Sequence, residues 1–186
     1  MEVKTILREQ MQAMHTTLEA AITDCTAEAL IWKLSGSTIN SAGAIYAHTI
    51  FGEDGLVNGL VRGRTPVYFD GGWAQKIGLE MPQGGLEPDW NVAFDLDLFR
   101  QYAAAVYDAT DEYLAAASDA DLARVVDPGF APAMPVRSFV ANVLAWHVAT
   151  HQGEISALKG IQGFNGLVFA HWRAWRSGPD GVIFMG

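Results

Sequence analysis

One cysteine, Cys25, occurs among 186 residues, so no internal disulfide can form and a zinc site built from thiolates is excluded. It lies in a turn-like Thr23-Asp24-Cys25-Thr26 segment without a basic neighbour to lower its pKa, the setting of an ordinary thiol rather than a nucleophile. Basic residues are also scarce. Twelve Lys and Arg stand against twenty-one Asp and Glu, for a net charge of −9 and a pI near 4.8. Small basic clusters occur only at Arg62 with Arg64 and at Arg173 with Arg176. Polyanion binding needs many clustered cations that displace counterions, so nucleic acid and anionic membrane surfaces are excluded as expected partners. Long apolar runs are missing too: the best candidate, Phe139 to Leu158, is broken by Asn142, two histidines and Glu154. The first residues carry Glu2, Lys4, Arg8 and Glu9 in an amphipathic pattern rather than a signal-peptide pattern, and a cytoplasmic location is expected. No Gly-x-Ser-x-Gly, no Walker-type loop and no internal repeat occurs.

What is present is helical periodicity. Half of the residues are apolar and 18% are charged, the composition of a globular chain, and the length suits one domain with one sizeable core. Apolar residues from Val3 to Ile22 recur at three- and four-residue steps and predict an amphipathic helix. The hydroxyls of Ser35-Gly36-Ser37-Thr38 are expected to cap a second helix from about Ile39 to Val61. That helix carries Gly43, Gly52, Gly55 and Gly59, each costing ~1 kcal/mol against alanine unless a close contact or ligand approach requires it. Gly63 to Trp90 is rich in Gly and Pro and reads as a long connection whose Tyr68, Phe69 and Trp73 could cover one end of the fold. A third helix is predicted from Asp95 to Ala117 and a fourth from Val136 to Lys159. The expected fold is all-α: an antiparallel four-helix bundle over residues 1–163, with a long crossover loop between helices 2 and 3. Residues 164–186 are expected to form a C-terminal extension packed on the same domain.

The segment Trp146-His147-Val148-Ala149-Thr150-His151-Gln152-Gly153-Glu154-Ile155 carries the chemistry. Two histidines four apart lie on one helix face and can present two nitrogens to one metal ion. Val148 stands where a zincin has its glutamate, which excludes that protease chemistry. No Glu-x-x-His occurs, which argues against a dinuclear carboxylate centre. His48, on the second helix, can point inward in a bundle and supply a third nitrogen, leaving one position for water or substrate. Glu154 shares the face of His147 and His151. It can orient a ligand, act as general base, supply a fourth ligand, or be a solvated carboxylate. Glu53 and Asp54 fall off the face of His48 and are expected in solvent, as is His15 on the first helix. His171, among tail aromatics, is expected to pack with them, with a place over the mouth of the site as the alternative. Arg62 and Arg64 read as a helix end that suits the dipole, or as a hold for an acidic cosubstrate.

The stretch Ser35-Gly-Ser-Thr-Ile-Asn-Ser-Ala-Gly-Ala-Ile-Tyr-Ala-His48, followed at long range by Trp-His-x-x-x-His-Gln-Gly-Glu-Ile, resembles the DinB/YfiT-like superfamily. The resemblance covers about Met1 to Gly163. It implies a four-helix bundle in which His48, His147 and His151 bind one divalent ion, zinc first, with nickel, manganese or iron as alternatives. Activities in that superfamily include S-transfer from low-molecular-weight thiols such as bacillithiol, mycothiol or glutathione, a maleylpyruvate isomerase and metal-dependent hydrolysis. Homodimers are common in it. The expectation is a metal-dependent enzyme acting on a small molecule, with Glu154 as the catalytic candidate. The rival expectation is a non-catalytic metal-binding stress-response module, its metal site closed by Glu154 or His171.

Overall fold

The computed structural model describes residues 2–82, 84–87 and 90–166. The fold is mostly helical. Helix α1 (Val3–Ile22) buries Leu7, Met11, Leu18 and Ile22 at the predicted steps. A short α2 (Ala27–Ile31) is capped by Thr26, whose hydroxyl accepts from the Ala29 amide at 3.2 Å. Helix α3 (Ala42–Glu53) starts three residues later than expected, because Ser41 rather than the 35–38 hydroxyls accepts from the Ala44 amide. Residues Ala42 to Ala47 are all buried, so this helix is enclosed rather than amphipathic. It continues as a π-helical stretch, Asp54–Val61, where the sequence pattern predicts ordinary α-helix. Two short helices, α4 (Val67–Asp70) and α5 (Trp73–Ile77), fall inside the predicted loop.

Helix α6 (Leu96–Ala116) begins at an Asp95 cap, and α7 (Asp119–Ala123) at a Ser118/Asp121 capping box. Strands β1 (Val125–Val126) and β2 (Met134–Pro135) form an antiparallel pair that no sequence pattern announces, with Val125 opposite Pro135. The predicted fourth helix comprises α8 (Val136–Phe139), a π-helical stretch Val140–Leu144, and α9 (Ala145–Ile161). Helix α1 packs on α9 and α6, and α3 packs on α9 and α6. The extension expected over 164–186 lies, from residue 167 onward, outside the described residues, and His171 with it.

Two apolar clusters share the interior. One gathers Leu18, Tyr46, Phe51, Tyr68, Phe99, Tyr102 and Ile155; the other gathers Leu7, Met11, Val57, Leu114, Phe139 and Leu144. On α1, α3 and α6 a buried polar group falls between the two clusters: His15, Glu53 and Thr110. His15 and Glu53 are therefore not in solvent, as the sequence suggests, but 8% and 1% exposed. His15 Nε2 lies 2.9 Å from Glu53 Oε2, and the Thr110 hydroxyl donates to Glu53 Oε1 at 2.6 Å. These contacts answer the polar groups' hydrogen-bonding needs, which is what permits their burial. The His15 ring also stacks on Tyr107 with centroids 3.8 Å apart.

Asp54 corrects the sequence expectation most sharply, being fully buried. Its carboxylate accepts four hydrogen bonds, each at 2.8 Å: from Asn58 Nδ2, the Val67 and Tyr68 amides, and the Tyr102 hydroxyl. Two of these donors are the first amides of α4, so the carboxylate also meets the favourable end of that helix. Tyr68, drawn inward, packs edge-on against Phe51 with centroids 5.4 Å apart, and Trp73 lies 5.9 Å from Tyr102. Phe69, between them, stays half exposed.

Replacing Asp54 by Ala strands four donors, so the variant should lose about 3–5 kcal/mol of stability in urea denaturation, the scale for breaking a buried charged network. A loss below about 1 kcal/mol would show that the carboxylate is not what holds this connection.

Candidate metal centre

Three histidines from two helices meet. His48 lies midway along α3, and His147 and His151 lie in the first two turns of α9. One ring nitrogen from each falls within 4.8 Å of the other two. His147 Nε2 and His48 Nε2 are 2.9 Å apart. Ring centroids are separated by 4.9 Å for His48–His147, 5.0 Å for His48–His151 and 4.5 Å for His147–His151. Nitrogens bound to one tetrahedral zinc lie about 3.3 Å apart, so the two closest rings would need to separate by only about 0.4 Å.

The donor chemistry fits. Burial holds the His48 imidazole down at about 4, with His151 adding repulsion. Burial, then His151 and His48, hold His147 at about 3. Both rings are neutral at pH 7 and offer lone pairs, the form that binds a divalent transition metal. The third ring is oriented from outside: His151 Nδ1 lies 2.7 Å from Glu154 Oε2, one turn along α9. A proton held on Nδ1 by that carboxylate leaves Nε2 free as the ligand atom. Of the four roles the sequence leaves to Glu154, ligand orientation is the one that matches this contact.

Gly52 is the residue that sequence reasoning did not assign to the site. A Cβ built there would lie 3.1 Å from His147 Cε1, so the missing side chain makes room for the ring against α3. Glycine in a helix interior was the available signal. Gly43 has a different reason, since a Cβ there would lie 3.0 Å from the Leu30 carbonyl oxygen.

A cavity of about 170 Å³ adjoins Glu154 and is lined also by Thr38, Ile39, Asn40, Ile45 and Leu86. Asn40 is buried there; its Nδ2 donates to the Glu87 carbonyl at 2.9 Å, and its Oδ1 has no partner. Cys25 is remote from this chemistry: burial raises its thiol pKa, as suits an unreactive group. Among the described residues, no helix is long and apolar enough to cross a membrane.

A sequence model of the DinB superfamily matches residues 10–155, the span that carries all three histidines and Glu154. The chain belongs to the DinB superfamily. The crystal structure of a conserved protein from Enterococcus faecalis is similar to this chain with a TM-score of 0.67 at 16% identity, covering 88% of this chain and 99% of its own. At that identity the likeness concerns the fold alone. No curated protein matches the chain in sequence. For this DinB superfamily member, the histidine cluster is a place that could hold a metal ion.

The pH response of metal-free protein follows from the two depressed histidines. Their folded pKa values, about 4 and about 3, lie below the unfolded 6.5. Between these limits the unfolded chain binds more protons, so stability falls as pH drops from about 6.5 toward 3 and is fully present above 6.5. Urea midpoints of metal-free protein should therefore fall between pH 7.5 and 4.5, and fall less for His147→Gln. Equal slopes for the two proteins would rule out burial of a neutral His147.

Proposed function

We propose that the protein binds one divalent metal ion, zinc first, through His48, His147 and His151, and uses it as a metal-dependent enzyme on a small molecule. The observation that carries this reading is the convergence of three ring nitrogens within 4.8 Å, two of them on rings that burial keeps neutral. In this reading the four long helical segments form an antiparallel bundle, and residues 63–90 are its crossover. That arrangement brings the middle of one helix against the start of another, where the three rings sit. A bound divalent ion would supply Lewis-acid chemistry, lowering the pKa of a thiol or water beside it.

The chain's own residues prepare that chemistry. Gly52 leaves space for the His147 ring. Glu154 holds the His151 proton on Nδ1 and so acts through His151, as a positioning residue. The cavity that Glu154 lines supports an enzyme over a closed metal module, because it provides room beside the residue that orients His151. S-transfer from a low-molecular-weight thiol is the reaction we favour. Hydrolysis with Glu154 as base would require that carboxylate to leave His151, whereas thiol activation needs no base from the protein. We place the protein as a cytoplasmic homodimer.

Metal analysis should find one ion per chain, lost in His48→Ala and His147→Ala. Glu154→Gln should keep the stoichiometry at saturating metal and weaken affinity 10–100-fold, the scale of an outer partner of a ligating histidine. Unchanged metal content in both histidine variants would refute the site. Metal-loaded protein should consume bacillithiol, mycothiol or glutathione in the presence of an electrophile, and His147→Ala should not. Uniform inactivity across thiols, alongside ester or amide cleavage, would transfer the assignment to hydrolysis.

Gly52→Ala separates positioning from stability. The added methyl presses on His147 while alanine favours the helix by ~1 kcal/mol. Metal affinity should fall while the thermal midpoint stays level or rises, as read by competition with a chromogenic chelator and by thermal unfolding.

A further inference from the structure

Arg62 and Arg64 remain outside the histidine site. They line a separate cavity of about 600 Å³ together with Arg124 and Tyr113, and none of the three histidines borders it. Arg62 follows the π-helical stretch directly, and Gly63 takes a left-handed conformation, φ +62°, between the two arginines. Two of the guanidiniums are held in place by backbone. Arg62 Nη1 donates to the Ala109 carbonyl at 3.1 Å and to Asn58 Oδ1 at 2.7 Å, and Arg124 Nη2 donates to the Val61 carbonyl. Each bond engages one nitrogen of a guanidinium that carries five N–H donors. Arg64 is exposed; its backbone amide donates to the Asn58 carbonyl at 2.8 Å, which leaves its guanidinium facing the cavity.

None of the three makes an ion pair among the described residues. Among the described residues the arginine ion pairs are Arg8–Asp111 and Arg100–Glu19, and no carboxylate pairs with Arg62, Arg64 or Arg124. Two acids border the cavity. Asp121 is committed to Ser118, accepting from its amide at 2.9 Å and its hydroxyl at 2.6 Å. Glu112 makes no ion pair with the three arginines. The Tyr113 hydroxyl is buried beside Arg124. Burial, and then Arg64, lower the Arg62 pKa against the opposing pull of Glu112, so the crowding of cations outweighs the nearby acid. This happens in a chain of net charge −9 with only twelve basic residues, where counterions are plentiful in sequence.

We propose that this cavity is a second binding site, for a small soluble anion bearing phosphate or carboxylate oxygens. Planar guanidiniums match such oxyanions with paired hydrogen bonds, and a buried hydroxyl adds a neutral donor. The volume falls in the range of small-molecule sites. The protein's overall negative charge opposes approach to an anionic bilayer, so the ligand is a free molecule rather than a lipid headgroup. The site does not depend on the metal reading.

Calorimetric titration of the full chain with inorganic phosphate and with succinate, at ionic strength fixed by sodium chloride, tests this. Saturable 1:1 binding of at least one is expected. Arg64→Ala, whose exposed side chain holds nothing in the fold, should weaken it tenfold or more, and so should Arg124→Gln. Thermal unfolding checks that each variant is folded. Titrations of His147→Ala should match the parent. The proposal fails if neither anion binds saturably, if binding is indifferent to both arginine substitutions, or if it disappears with His147→Ala.

Discussion

The buried carboxylate of Asp54 is the constraint around which the rest of the molecule is arranged. A full charge taken out of water is tolerated only when donors surround it, and here four do. Those donors come from three places: the next turn of the same helical segment, the start of α4, and Tyr102 on α6. Satisfying one acid therefore fixes where the long connection begins and seats Tyr68 in the apolar cluster. It also ties α3 to α6. The helix that carries His48 is held on one side by this carboxylate and on the other by packing against α9. The geometry of the histidine cluster inherits its rigidity from a residue outside it.

The polar layer extends that logic. Glu53, next to Asp54, meets His15 from α1 and Thr110 from α6, so the two adjacent acids share α6 and reach α1 and α4 separately. Lys159, fully buried near the end of α9, donates to the Ala21 carbonyl at 2.8 Å and to Asp24, closing α9 onto the end of α1. Glu19 collects the hydroxyls of Tyr46 and Tyr107 at 2.6 and 2.9 Å, together with Arg100. Each of these ties demands a specific geometry that apolar packing alone would leave loose.

The long helices and the three histidines could be read directly, because apolar periodicity and four-residue spacing are local properties of the chain. Ile6, Leu7, Met11 and Leu18 repeat every turn or two whatever they pack against. The third member of the cluster, His48, required only the assumption that two helices face each other. What escaped was anything decided by partners distant in sequence. Glu53, Asp54 and His15 look like surface residues until Thr110, Tyr102 and the α4 amides arrive to meet them. The start of α3 at Ser41 rather than among residues 35–38 was a choice between equivalent hydroxyls. The short β1–β2 pair depends on two-residue strands with no period to detect. Gly52 was visible as an anomaly but not as a solution, since the ring it accommodates lies nearly a hundred residues away.

The π-helical stretch Val140–Leu144 sets the rotational phase of everything after it. A wider turn spends extra residues for the same advance, and one residue corresponds to about 100° around a helix axis. His147 and His151 face His48 because of how many residues precede them as much as because of what those residues are. The centre should thus tolerate varied side chains across this stretch while being intolerant of a change in its length. Between divergent relatives, an alignment gap placed here would signal a lost or rebuilt site more reliably than any substitution nearby.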